Sequence, residues 1–433
     1  MKRKFYRLAF YNILANLAVP LAGLADAAVL GQLETHTFLA GVALTNVVFD
    51  YLFWSFAFLR MGTTGLTAQA YGEENESKSD LVLFRSLFLG LGIGLCILLL
   101  KNPIQEFSFF LLQGDEQVKS AGLEYFQARI GSAPATLCNF ALMGWFLGRS
   151  KSGVVLFATV LSNLLNIVLD FWFVLYFDWR SWGAGIATTI SQFFMLFIFL
   201  LCYIRERDRF TLFSDGSEKF FSWPDFRSLL SLNKDILLRT VMLVTAFGIF
   251  RNFSSVFGSV VLAGNAILLE LILVAAYWID GTAVATETLA GEAKGKKDLR
   301  SMSFLLELAL ISAGTIGFLF SFFIILFPDW IFPWISKNQD VLKITYRYRF
   351  WLAPVLLLGS VAFVLDGFFL GLSEGKILRN AMVISTLLFF LPVAITGKQQ
   401  GNNDLLWLSL GFYMLGRSLT LGRQAFRLLN LKS

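Results

Sequence analysis

Residues 133–148 read APATLCNFALMGWFLG, and residues 353–371 read APVLLLGSVAFVLDGFFLG. Each is an almost wholly apolar run that opens on Ala-Pro and closes on two glycines four apart. Arg129, Ala133 and Pro134 meet Arg349, Ala353 and Pro354 at an offset of 220. Gly144 and Gly148 meet Gly367 and Gly371 at an offset of 223, so a three-residue slip lies inside the repeat. A helix needs about 20 apolar residues to cross a hydrocarbon core about 30 Å thick, so each stretch reads as one crossing. The second is a copy of the first. The 223 offset recurs elsewhere: LAGVA from Leu39 answers LAGNA from Leu262. Thr63, Leu66, Ala70 and Gly72 likewise answer Thr286, Leu289, Ala293 and Gly295.

Working outward, similar apolar runs appear at about 10–32, 38–59, 84–101, 128–148, 154–177 and 183–204. Six more follow at 236–258, 261–284, 303–327, 350–371, 377–396 and 404–421. They lack the short alternation of barrel strands. The predicted fold is an all-α membrane protein of about twelve transmembrane helices. It comprises two six-helix lobes related by a parallel internal repeat. The boundaries are 1–204 for the first lobe, 205–235 for a cytoplasmic linker with an amphipathic piece near Phe226–Leu232, and 236–433 for the second. Only 15% of the 433 residues are charged, against about 25% in soluble domains. Most of the 36 Lys and Arg fall on the side that holds the N-terminus, which places both termini in the cytoplasm. That asymmetry accounts for the net charge of +6 and leaves no role for nucleic acid. Cys96, Cys138, Cys202 and the single His36 have no metal-ligand or disulfide spacing, and no P-loop occurs. No cofactor is expected, and no clustered nucleophile suggests an intramembrane enzyme.

Charges inside a bilayer are costly and ask for a reason. In the first half, Asp26 lies in the first helix, Asn166 and Asp170 share a face of the fifth, and Thr188 opens the sixth. Carboxylate, amide and hydroxyl oxygens suit a held proton, or Na⁺ bound by Asp26, Asn166 and Asp170; hydrogen bonds between packed helices are the alternative. In the second half, Asp280, Asp366, Glu270 and Arg251 form a second candidate polar site, with simple ion pairing as the alternative. Glu287 is placed at the interface, and Asp50 and Glu307 have no assignment. Trp179, Trp182, Trp330, Trp334 and Trp351 are expected to anchor the outer boundary.

Four stretches carry a resemblance: FLRMGTTGLTAQAYGEEN (Phe58–Asn75), APATLCNFALMGWFLGRSKS (Ala133–Ser152), NIVLDFWFV (Asn166–Val174) and LDGFFLGLSEGKILRNAMVIS (Leu365–Ser385). Together they resemble the multidrug and toxic compound extrusion (MATE) family, and within it the DinF branch. The resemblance implies a two-lobed antiporter in the bacterial inner membrane, working as a single chain among lipids. It would export small organic compounds, often cationic, in exchange for H⁺ or Na⁺. Asp26, Asn166, Asp170 and Thr188 match the family's first-lobe cation site, and Asp366 matches an aspartate used in the second lobe of other branches. The chain departs from the pattern in three places. Its seventh helix lacks the glutamate of those branches, Tyr11 stands where relatives carry proline, and Glu270 stands where glutamine is common. A citrate-like carboxylate as substrate, or a lipid-linked flippase, are the rival readings.

Overall fold

The computed structural model describes residues 1–206 and 222–430, with Asp225 and Asn430 as backbone only. The middle of the expected linker, 207–221, lies outside the described residues. Among the described residues there is no strand. Eleven helices are long and apolar enough to cross a membrane. They are α1 (Lys2–Leu30), α2 (Thr37–Gly72), α3 (Glu76–Leu99), α4 (Glu116–Gly148), α5 (Ser152–Tyr176) and α6 (Arg180–Glu206), followed by α7 (Phe226–Ser255), α8 (Ser259–Gly295), α9 (Leu299–Leu326), α10 (Gln339–Gly371) and α11 (Gly375–Gln399). A twelfth, α12 (Asn403–Asn430), has the length, but Arg417, Arg423 and Arg427 lower its hydropathy.

Several helices outrun their apolar runs. At 1.5 Å per residue the 37 residues of α8 reach about 56 Å, well beyond a hydrocarbon core of about 30 Å. The backbone ladder continues past the lipid because helical hydrogen bonding needs no apolar side chain. Hydropathy therefore finds the crossing but misses the ends, as at α2, which continues past 59 through a tightened turn (Phe56 N–H to the Phe53 carbonyl, 3.0 Å) to Gly72. At the start of α7 the expected amphipathic piece is helical, burying Phe226, Leu229 and Leu232 on one stripe.

The repeat extends to irregular backbone. Glu74 and Lys297, 223 apart, both have positive φ, as do Ser150 and Ser373. Asn75 caps α3 by accepting from Lys78 N–H, and Asp298 caps α9 by accepting from Ser301 N–H. The Ser301 hydroxyl and backbone N–H hold the Asp298 carboxyl below the ordinary carboxylate value. A 3₁₀ turn precedes the Ala-Pro segment in both halves (Ile130–Ser132 and Arg349–Trp351), and α5 and α11 each carry a π-helical stretch (Phe171–Tyr176 and Ser385–Phe390). Such deviations are specific to local sequence, so their recurrence marks two copies of one six-helix plan.

Leu14–Arg227 forms one compact unit, and Met1–Ile13 with Ser228–Ser433 forms the other. The sequence boundary kept all of α1 in the first lobe. In the structure its first thirteen residues pack against α8: Lys4 pairs with Glu292 at 2.5 Å, and Asn12 Nδ2 donates to the Gly281 carbonyl at 3.5 Å. Gly281 permits this approach, because a Cβ there would lie 2.8 Å from the Ile13 nitrogen.

Within the second unit, one buried polar cluster is matched internally. Asn265 donates to Ser254 Oγ (2.9 Å) and Asn403 Oδ1 (2.8 Å), and accepts from Asn403 Nδ2 (3.1 Å) and Trp407 Nε1 (2.9 Å). Asn265→Leu strands these partners at about 1–3 kcal/mol per unmet group. A clear drop in melting temperature of the purified protein in detergent is the expected result; an unchanged melting curve would refute it. Of the five expected tryptophan anchors, Trp179, Trp182, Trp330 and Trp334 are exposed. Trp351 instead donates to Asp404 Oδ1 at 3.0 Å.

Candidate cation-coupling site

The α5 helix explains why its acid points inward. From Ser152 to Asp170 its buried residues are Ser152, Val155, Ala158, Thr159, Ser162, Asn166 and Asp170, a stripe at three- and four-residue spacing that is mostly polar. Phe157, Val160, Leu164, Val168 and Phe171, on the other faces, are exposed. In water this helix would be inside out. In lipid the apolar faces meet hydrocarbon and the polar stripe must find partners within the protein. Ser162 does so by donating to the Ser191 carbonyl at 2.7 Å, and Asn163 beside the stripe donates to the Ala18 carbonyl of α1 at 2.9 Å. The latter bond draws α1 and α5 together.

At the end of that stripe the Asp26 and Asp170 side chains lie near enough to act on each other electrostatically. Asp26 Oδ1 and both Asp170 carboxylate oxygens are buried, and among the described residues no donor reaches them. An ionised carboxylate only accepts, so two of them near each other repel unless a proton or another cation stands between. Asn166 is buried one turn before Asp170, with its amide nitrogen unpartnered. Thr188 on α6 donates to the Ala184 carbonyl at 3.0 Å, so it can meet a cation only through its oxygen lone pairs.

Two further helices surround the acids with residues to which the sequence reading gave no role. On α4, Arg129 donates to Asn46 Oδ1 of α2 and to the Tyr125 hydroxyl, the latter at 2.9 Å. Tyr125 donates to the same Asn46 oxygen at 2.9 Å, and the Arg129 guanidinium lies 4.5 Å from the Phe49 ring centroid. Arg129 is within electrostatic reach of Asp26 and of Asp50, which gives the unassigned Asp50 a countercharge. The i, i+4 spacing of Asn46 with Asp50 and of Tyr125 with Arg129 was visible in the sequence. It matches that of Asn166 with Asp170.

The second half is arranged differently. Asp366 accepts through Oδ2 from both Arg239 of α7 and Arg417 of α12, the latter at 2.5 Å, and all three side chains are buried. Asp280 is half-buried and acts electrostatically on Arg239. Arg251 pairs instead with Glu270 at 3.4 Å, both largely exposed. Arg251 lies twelve residues from Arg239, about 18 Å along the helix. The four residues grouped by sequence thus divide into Asp366 and Asp280, gathered about Arg239, and a separate exposed pair. Sequence reading gave Arg239 and Arg417 no role, yet each sits within an apolar segment, the one clue available. Glu287, expected at the interface, is buried at 1% exposure, because α8 continues helical and packed beyond it.

The MatE family model matches residues 12–172 and again 236–396, once on each half. The chain belongs to this family of membrane transporters, which are not enzymes. It is 35% identical over 419 residues to DNA damage-inducible protein F of Escherichia coli (strain K12), covering 97% of this chain and 91% of that protein. Identity is 23% over 374 residues to a probable multidrug resistance protein NorM of Thermotoga maritima, covering 84% of this chain and 77% of that one. Among solved structures, a MATE protein in the bent conformation superposes with a TM-score of 0.89 at 21% identity, covering 100% of this chain and 96% of that one. An outward-facing multidrug resistance MATE transporter gives 0.87 at 20% identity, covering 99% and 96%.

Proposed function

We infer that the protein is a secondary antiporter that exports organic, cationic or amphipathic compounds in exchange for H⁺ or Na⁺ taken up at Asp26 and Asp170. The observation that carries this reading is the nearness of two carboxyls, three of whose oxygens are buried with no hydrogen-bond partner among the described residues. Such a pair is at rest only when a cation is bound, so gaining or losing one alters the packing of α1 against α5. Asn166 and Thr188 supply further oxygens. Export of organic compounds is supported by the multidrug resistance named for the Thermotoga relative. The excess of Lys and Arg on the N-terminal side supports cytoplasmic termini. The bacterial relative supports the inner membrane, and one chain suffices for the site.

The energetics are adequate. One proton moving down a one-unit pH gradient supplies about 1.4 kcal/mol, and 100 mV adds about 2.3 kcal/mol. For an electroneutral substrate the two together sustain accumulation of several-hundred-fold, on the order of tenfold per 1.4 kcal/mol.

The test is ethidium transport in proteoliposomes under imposed H⁺ or Na⁺ gradients. Wild type should respond to one of the two gradients. Asp26→Asn and Asp170→Asn should each lose that response by at least tenfold while still binding ethidium. Gradient-driven transport that survives in both variants would show the assignment to be wrong.

A further inference from the structure

Asp366 is an acid in an apolar helix, as Asp26 and Asp170 are, but its surroundings are opposite. The N-terminal acids lie near each other, and Asp26 Oδ1 and both Asp170 oxygens have no donor among the described residues. Asp366 meets two guanidinium groups, Arg239 and Arg417, on a single oxygen, and its side chain is only 3% exposed. Asp280 adds a second negative charge felt by Arg239. The four residues sum to zero charge, so no negative charge is left to neutralise an incoming cation. Two fixed positive charges in ion-pair contact with the carboxylate repel a third. The same contacts tie α7, α10 and α12 to one point. An arginine planar fork suits this work better than a lysine, since it stays charged when buried and is only weakly hydrated.

We propose that Asp366 is the shared counter-ion of Arg239 and Arg417, a charge clamp that joins α7, α10 and α12 and exchanges no cation. The last clause rests on the function inferred above. The clamp itself rests only on the geometry of the second unit.

Because removing one member strands the others, the test replaces all three. Buried ion triads often tolerate exchange for apolar residues of similar volume. The variant Arg239→Met/Asp366→Leu/Arg417→Met should elute as a single species and transport ethidium under the same gradient within about threefold of wild type, with an unchanged ratio of cation to ethidium. A folded triple variant that binds ethidium but ignores the gradient would overturn the proposal.

A second measurement covers failure of that variant to fold. In Asp26→Asn/Asp170→Asn protein, with the clamp intact, ethidium-displaceable uptake of radiolabelled sodium and of protons should fall to background. One displaceable equivalent remaining would place a cation site elsewhere and overturn the proposal. The underlying functional reading fails on a different result, namely gradient-driven transport persisting in the single N-terminal acid variants.

Discussion

Asp366→Asn is expected to destabilise the protein by about 3–5 kcal/mol, the usual cost of breaking a buried ion cluster by removing one partner. Arg417 is fully buried and Arg239 nearly so. With the carboxylate gone, two buried guanidinium groups face each other without their shared counter-ion. The effect should be read as a lowered melting temperature and poor recovery of monodisperse protein. Arg251→Gln is the matched control. It breaks an ion pair whose partners are 60% and 64% exposed, where about 0–1 kcal/mol is typical. Equal losses in the two variants would contradict the account of the clamp.

Gly371→Ala is the second large expected effect. A Cβ at Gly371 would collide with the Glu287 carbonyl oxygen and come within 2.9 Å of the Glu287 carbonyl carbon and 3.0 Å of the Gly291 nitrogen. All three are backbone atoms of α8, so the clash can be relieved only by moving α10 away. Close backbone approach at small residues is how membrane helices gain packing energy when lipid is as apolar as leucine. Overpacking costs about 1–3 kcal/mol where side chains can yield, and this site offers none. The same register appears in the other half, where a Cβ on Gly148 would lie 2.8 Å from the Thr64 carbonyl oxygen and 2.9 Å from the Ala68 nitrogen. Gly148→Ala should therefore be comparably harmful. Gly248→Ala and Gly314→Ala, with nothing within 4 Å of the added carbon, should be neutral or slightly stabilising from helix propensity, by up to about 1 kcal/mol. Expression and melting temperature of the four variants decide the matter.

These glycines show how much a sequence of this kind discloses. Their spacing in 144–148 and 367–371 was legible as a repeated motif, and so was the apolar length of each crossing. Which backbone they approach was not, because the carbonyls of Thr64 and Glu287 lie some eighty residues away in the chain. The helix ends were equally hidden, since a helix that has left the lipid keeps its hydrogen bonds without an apolar signature. Asn166 and Asp170 could be placed on one face of a helix by spacing alone. Their nearness to Asp26 depended on how α1 rotates against α5.

What the sequence by itself determined is therefore the solvent, the helical class, the doubling of the chain and the short list of acids that need a reason. Hydropathy, period and offset are properties of neighbouring residues, and they survive being read in one dimension. Only tertiary structure decided the fate of each acid. Asp366 meets arginines 127 and 51 residues distant in the chain and is neutralised, whereas Asp26 and Asp170 lie near each other and are not. The physical reason is that a charge buried in lipid takes its character from whatever side chain the packing brings opposite it. That choice is made by the rotation and register of whole helices, which no local pattern encodes.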